Sequence, residues 1–324
     1  MSEFAGIDLG ASYVRAIVGD ESGELRGLAK NETPQGPTGV DVTDAVLSTL
    51  KEACRDAGID PKALEAVGIA SVGPLNLADG SLGSPSNLPD TIERIPLTGP
   101  VGNLADTDSV HLHNDGIAGV IGERFYSERN PDDMVYLTIS TGIGAGVTVD
   151  GHVLGGWDGN AAEVGHMTLD PDGELTCGCG KEGHWEAYAS GQNITKHARA
   201  YYESGDWETE MPIRDADFTA PELFEYAGED EFADAFIERL ARFNAMGVAN
   251  IVQAYAPLII YVGGAVAVNN PDLVVEKIRQ RLPEMVFGNI PDIKLTTLGD
   301  EVVLKGALAS ALTGGTGDRS QLEY

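Results

Sequence analysis

The stretch FAGIDLGASYVRAIVGDESGEL alternates short β-rich apolar runs with Gly, Asp and Ser, which predicts strand, glycine turn, strand, turn, strand. Far downstream, MVYLTISTGIGAGVTVDGHVLGG repeats the plan. A strand ends in Ser140 and Thr141, the glycines Gly142, Gly144 and Gly146 follow, and a second strand runs to an Asp150-Gly151 turn. Two matching β-turn-β units predict an internal duplication. In the first half the pattern adds a helix near Val42 to Ala57, strands at Ala66 to Val72 and Val110 to His113, and a helical stretch, IAGVIGERF. In the second it adds helices near Gln192 to Glu203 and Phe232 to Ala254, and strands at Leu258 to Val262 and Ile293 to Leu298. A helix near Leu304 to Leu312 closes the fold, and the tail TGGTGDRSQLEY reads as mobile. This is an α/β pattern with two similar lobes, and ligands in such folds sit at the carboxyl ends of strands.

Composition narrows the class. The 324 residues suit two domains, or one fold with two lobes, and 42% hydrophobic content is enough for real cores. No window offers about 18 consecutive apolar residues, so no membrane span is expected. The start MSEFAGIDLG lacks a basic segment followed by an apolar one, so no signal peptide is expected. Three Cys, with Cys54 apart on a predicted helix, are not a disulfide framework and fit a reducing cytoplasm. The 51 acidic and 21 basic residues leave a net charge of −30, spread along the whole chain. Such a surface repels nucleic acid. It fits a salt-rich, halophilic cytoplasm, where self-repulsion is screened, and an ordinary acidic protein is the alternative.

The run from Glu163 to Ser190 carries the most specific chemistry. Cys177 and Cys179 lie one residue apart, His184 follows, and His166 precedes them. Two thiolates and two imidazoles suit tetrahedral Zn²⁺, while packing cysteines or a redox pair are the plainer alternatives. Gly178, Gly180 and Gly183 let the backbone fold tightly around an ion, and Glu163 and Glu186 bracket the cluster. At the first turn, Gly10 permits close approach of an anion, Ser12 can donate to phosphate, and Asp8 reads as a partner for a cation or water. Ser140, Thr141, Gly142 and Gly144 supply a second set of donors. Either turn alone reads equally as a plain hairpin turn; in equivalent places of two halves they read as opposed jaws on one nucleotide. Gly264, after a buried strand, could let an adenosine lie against the backbone, or simply start a helix. Asn114-Asp115-Gly116 ends a strand, where Asp115 could cap a helix or accept a proton from a hydroxyl nucleophile.

Together these motifs resemble the ROK family of sugar kinases, within the actin-like ATPase superfamily, over nearly the whole chain. DLGAS at Asp8 to Ser12 and STGIGAG at Ser140 to Gly146 are similar to its two phosphate motifs, and VGG at Val262 to Gly264 to its adenosine motif. SVGP at Ser71 to Pro74 and SNLP at Ser86 to Pro89 resemble sugar-lobe loops. Asn114-Asp115 resembles the catalytic pair, and EVGH and CGCGKEGHWE resemble the sugar-and-zinc signature. The resemblance implies a duplicated, ribonuclease H-like fold of two lobes with a cleft between them. It implies a smaller lobe of residues 1–115, completed by a C-terminal helix of about 303–324, and a larger lobe of residues 116–302.

The resemblance also assigns roles. Asp115 becomes the general base. Asn114, Glu163, His166 and Glu186 hold sugar hydroxyls, with Gly73 and Asn87 as further candidates. Asp8, Gly10, Ser12, Thr141, Gly142 and Gly264 bind ATP. His166, Cys177, Cys179 and His184 bind a structural Zn²⁺, with His166 serving metal and sugar through its two ring nitrogens. The implied activity is ATP- and Mg²⁺-dependent phosphorylation of a hexose, with glucose first and fructose, mannose, N-acetylmannosamine and N-acetylglucosamine as alternatives. The implied assembly is a homodimer or higher homo-oligomer. Three departures stand out: His184 replaces a usual third Cys, Ala11 a usual Gly, and Ser12 a usual Thr. Sugar-responsive repressors of the family carry an N-terminal helix-turn-helix, for which the early first strand is expected to leave no room. A catalytically dead sugar-binding protein is opposed by the intact Asp115.

Overall fold

The computed structural model describes residues 2–83, 88, 89 and 91–322. In chain order the strands and helices begin with β1 (Glu3–Leu9), β2 (Tyr13–Asp20), β3 (Leu25–Glu32), α1 (Gly39–Ala57) and β4 (Leu64–Ser71). Next come β5 (Leu75–Asn76), β6 (Ser81–Gly83), β7 (Arg94–Pro96), α2 (Thr98–Ala105), β8 (Val110–Asn114) and α3 (Asp115–Tyr126). The second half contains β9 (Met134–Ile139), β10 (Ile143–Val149), β11 (His152–Val153), α4 (Trp185–Ala189), α5 (Ile194–Glu203), α6 (Ala220–Glu225) and α7 (Glu231–Tyr255). It ends with β12 (Ile259–Gly263), α8 (Ala265–Asn269), α9 (Lys277–Met285), β13 (Asp292–Leu295) and α10 (Val302–Thr313). The two five-stranded sheets run β3-β2-β1-β4-β8 and β11-β10-β9-β12-β13. That shared order is the duplication that the repeated β-turn-β pattern predicts. A small third sheet, β5-β6-β7, has strands too short to leave a period in the sequence.

The chain divides into two compact units. One joins Met1–Tyr136, Gly146–Ala162 and Thr297–Tyr324; the other joins Leu137–Ala145 and Glu163–Thr296. In the first unit, β1 and β2 are antiparallel and β4 and β8 run parallel to β1. Alternation sorts the β2 side chains. Val14, Ala16 and Val18 join Val42, Val46 and Leu50 of α1 in one core, while Ile17 joins Ile117, Ile121, Leu304 and Leu308 of α3 and α10 in another. A Thr38–Asp41 capping box starts α1, and Gly58 in the left-handed region ends it. In the second unit the long α7 is N-capped by Asp230, whose carboxylate accepts Ala233 N–H. Trp185 of α4 is buried against it, with its indole N–H donating to Asn244 Oδ1 at 3.0 Å. A Cβ on Gly247 would overlap that indole.

The tail departs from expectation: residues 314–320 are pinned, not mobile. Arg124, buried inside α3, donates from Nη1 to the carbonyls of Thr316 and Gly151, both at 2.9 Å, and from Nε to Pro131 O at 3.1 Å. Its Nη2 pairs with Asp132 Oδ1 at 2.6 Å, and Asp318 Oδ2 lies 3.7 Å away. Asn130 Nδ2 donates to Asp318 Oδ1 at 2.8 Å. A Gly-rich polar tail carries no sign of such a partner, because the guanidinium that orders it lies nearly two hundred residues earlier. Arg124→Met should therefore leave buried carbonyls unpaired and lower stability by about 1–3 kcal/mol. Limited proteolysis of the variant should cut between Gly314 and Gln321; a tail as resistant as wild type contradicts this account.

Candidate active site

In the first unit the turn after β1 is built by its own backbone. Gly10 N–H donates to Tyr13 O at 3.0 Å, and Thr33 Oγ1 donates to Gly10 O at 2.7 Å. These bonds leave Ser12 exposed at the tip. Asp8 is buried, and the hairpin register sets Arg15 directly across from it. Arg15 donates to Asp8 Oδ2 from Nε at 2.9 Å and from Nη2 at 2.5 Å, while its Nη1 donates to Asp300 O at 3.0 Å. Burial raises the Asp8 pKa, and the Arg15 charge and hydrogen bonds act against that rise. Sequence reasoning missed Arg15. The signal was present, since a three-residue turn between two antiparallel strands fixes which residue faces Asp8.

Asn114 and Asp115 sit where β8 becomes α3. Asn114 is buried and its Oδ1 caps the helix, accepting Ile117 N–H at 2.7 Å, which leaves its amide nitrogen to donate. Asp115 Oδ1 accepts Gly116 N–H at 2.8 Å. Its carboxylate touches solvent, yet protein surrounds it at longer range. Burial is the main cause that raises its pKa above 3.8, with the Asp8 charge adding and the Gly116 N–H opposing. A carboxylate with a raised pKa and an open face suits proton acceptance. Gly73 lies in the loop after β4, with space for a Cβ 3.9 Å from Asn160 Oδ1. Asn87 lies outside the described residues.

The second unit gathers the four expected ligand residues. One ligand atom from each of His166, Cys177, Cys179 and His184 lies within 4.8 Å of the others. Cys177 Sγ is 3.7 Å from His166 Nδ1, and Cys179 Sγ is 3.3 Å from His184 Nδ1. Zinc bonds of about 2.0–2.3 Å give tetrahedral edges of this size, so the donor set fits Zn²⁺. Burial pushes the Cys177 thiol up to about 12, which a bound cation would reverse. Gly183 is required by geometry, with φ +74 and a Cβ that would overlap Asp170 O. His166 turns its other nitrogen, Nε2, toward Glu163 Oε2 at 4.0 Å. Glu186 Oε2 accepts Ile143 N–H at 3.0 Å.

A chain of partners braces the ligand loop. The Tyr188 hydroxyl donates to Asp170 and accepts Leu175 N–H, and its ring stacks on Phe243 of α7 at 4.2 Å. Burial holds His197 down at about 4, so its neutral Nε2 accepts from Arg239 Nε at 2.9 Å. Arg239 in turn pairs with Glu174 at 3.0 Å.

Thr141 and Gly142 form the turn between β9 and β10, with Thr141 exposed. Beside it opens a cavity of about 730 Å³ lined by Ser140, Thr141, Gln192, Phe224, Glu225, Val266 and Asn270 among others. Its volume and part-apolar wall suit a planar heterocycle. Sequence reasoning found only its edge, because the wall comes from separate segments with no shared motif. Gly264 stands at the start of α8 in the left-handed region, φ +86, with a Cβ position 2.5 Å from Ile139 O. A hollow of about 710 Å³ in the first unit, lined by Thr98, Asn103, Asp106 and His111 among others, borders none of the expected site residues.

Duplicated sheets, each opening on a glycine turn, define the actin-like ATPase fold. The chain belongs to the ROK family, whose model matches residues 4–313. It is similar to glucokinase from Pyrobaculum calidifontis, 35% identical over 316 residues that cover 96% of this chain and 95% of that one. It is also similar to the solved ROK hexokinase from Thermus thermophilus, with 31% identity, a TM-score of 0.79 and coverage of 95% and 97%. A ROK family glucokinase from Streptomyces griseus, solved in complex with glucose and AMPPNP, matches with 28% identity, a TM-score of 0.73 and coverage of 96% and 99%.

The backbone need for Gly264 is independent of any nucleotide. Gly264→Ala should lower stability by about 1–3 kcal/mol in a urea titration without ligand. A variant as stable as wild type would return Gly264 to a purely ligand-facing role.

Proposed function

We propose that this kinase transfers the γ-phosphoryl group of ATP to the 6-hydroxyl of glucose, with Asp115 as general base. The observation that carries the reading is Asp115 itself, a carboxylate of raised pKa at the mouth of β8, beside Asn114 and in the same unit as the Asp8–Ser12 turn. The glucokinase and hexokinase relatives support the substrate class. The sugar O6 attacks the γ-phosphorus in line, an O–P bond forms, the bond to the bridging β-γ oxygen breaks, and ADP leaves. The O6 proton passes to Asp115.

Asn114, Glu163, His166 and Glu186 would orient the sugar hydroxyls, with Gly73 and Asn87 as further candidates. The turns at Gly10–Ser12 and Thr141–Gly142 would donate to phosphates, and the cavity beside Thr141 would take the base. Mg²⁺ would neutralise phosphate charge when bound, and Asp8, whose Oδ2 accepts from Arg15, would help to hold it through its remaining carboxylate oxygen. Zn²⁺ would be structural, with four protein ligands and no open position. The joining of about 303–324 to residues 1–115 is supported by α10, whose Leu304 and Leu308 share a core with Ile17 of β2 and whose Ala307 lies against Gly68 of β4. ADP release over a panel of glucose, fructose, mannose, N-acetylmannosamine and N-acetylglucosamine identifies the sugar; no release with any hexose contradicts the proposal.

Asp115→Asn should lower kcat by about 10²–10⁴-fold while sugar affinity changes little. Because the base must be ionised, wild-type kcat/KM should fall as pH drops through the raised Asp115 pKa. The same shift means that ionised Asp115 opposes folding at neutral pH, so the Asn variant should be at least as stable as wild type. A variant keeping more than about a tenth of wild-type kcat removes Asp115 from this role. Elemental analysis should find one Zn²⁺ per chain, lost in Cys177→Ala and Cys179→Ala with a raised sugar KM, and kept in His184→Cys. Full sugar affinity in a metal-free preparation contradicts a structural zinc. The −30 charge supports a halophilic setting. Self-repulsion is screened over about 3 Å at 1 M salt, so the melting temperature should rise from low to molar KCl, and a flat or falling trend counts against it.

A further inference from the structure

Three contacts meet at one carboxylate in the second unit. Glu186 lies in the first turn of α4, two residues beyond the ligand His184. Its Oε2 accepts the backbone N–H of Ile143 at 3.0 Å, where the turn Ser140–Gly142 enters β10. A Cβ on Gly142 would stand 2.8 Å from the same oxygen, so the carboxylate occupies the space that a side chain on the turn would need. Its Oε1 lies 3.4 Å from Cys177 Sγ, one of the four metal-ligand atoms.

The turn is gripped on other sides by residues that follow α4 and by Gly165 beside His166. Gly191 N–H donates to Ser140 O at 2.7 Å, and Gln192 N–H donates to Thr141 O at 3.2 Å. Gly165, adjacent to His166, packs so closely on Ile143 that a Cβ would overlap its carbonyl. The backbone donors of the turn therefore point where segments flanking the metal ligands place them. A Glu186 confined to holding a sugar hydroxyl would not need its bond to Ile143.

We propose that Glu186 is a positioning residue for the phosphate turn, linking the metal-ligand loop to nucleotide binding. The inference rests on the reading of residues 140–144 as a nucleotide-phosphate turn. Removing the carboxylate leaves Ile143 N–H without its acceptor and unseats Gly142, so the donors of the turn lose their fixed direction. Removing the metal frees Cys177 and His166 from a common partner and loosens the loop that delivers Glu186.

The test is calorimetric titration of the metal-loaded, full-length protein with Mg²⁺-ADP and no sugar, with zinc measured in the same samples. Glu186→Ala keeps all four ligands and should bind nucleotide about tenfold more weakly. Glu186→Gln retains an oxygen that can accept the Ile143 N–H, so its affinity should stay within about threefold of wild type. Chelation that leaves the far-UV circular dichroism unchanged should weaken nucleotide binding, and added Zn²⁺ should restore it. Wild-type nucleotide affinity in a zinc-loaded Glu186→Ala protein overturns the inference and leaves the kinase reading intact. A fall in Glu186→Gln as large as in Glu186→Ala also overturns it. Wild-type protein that binds no nucleotide overturns the kinase reading itself.

Discussion

Backbone pressed on backbone is the constraint on which the first unit depends. A Cβ on Gly68 of β4 would overlap Ala307 O of α10, and one on Gly306 of α10 would overlap Ala118 O of α3. A Cβ on Gly146 of β10 would overlap Gly116 O, the residue next to Asp115. Only hydrogen fits at these points. Each glycine costs chain entropy, and the return is a helix α3 whose interior residues Gly116 to Phe125 are all buried. A carboxylate at the first position of so fixed a helix has little freedom to drift, and rigid support of this kind is what positioned catalysis requires. Asp115 keeps an open face at the start of that helix, and the protein around it at longer range raises its pKa.

The second unit solves its positioning problem by other means. Between β11 and α4 the chain has little regular structure, and the loop there is organised by four candidate metal ligands and by polar bracing. Tyr188, Asp170, His197, Arg239 and Glu174 form a continuous line from the loop to α7. His197 can accept from Arg239 only while neutral, and burial keeps it so. A metal with four protein ligands would hold together a loop that has so little regular structure of its own.

Much of this was legible in the sequence where the signal is local. The hairpins that open each half, α1, α7 and α10 are long or punctuated by glycine, so pattern places them to within a few residues. His166, Cys177, Cys179 and His184 fall within one short run, and their chemistry survives without knowledge of the fold. What escaped depends on distant partners. Arg124 orders the tail across the length of the chain, and Arg15 meets Asp8 only once the hairpin register is known. The strands β5 to β7 are too brief to carry a period, and a π-helical turn at Asp272–Glu276 leads into α9 with no cue in the pattern. The cavity beside Thr141 draws on segments from Ser140 to Asn270, of which only the turn at Ser140 and Thr141 carries a motif.

A crystal structure with glucose and a non-hydrolysable ATP analogue tests the central claim most directly, through the distance from the sugar 6-hydroxyl to the nearest carboxylate. The account predicts an Asp115 oxygen within about 2.6–3.2 Å of that hydroxyl, with the γ-phosphorus on its far side. A 6-hydroxyl that instead lies against Asp8, or has no carboxylate within reach while another hydroxyl faces Asp115, contradicts it.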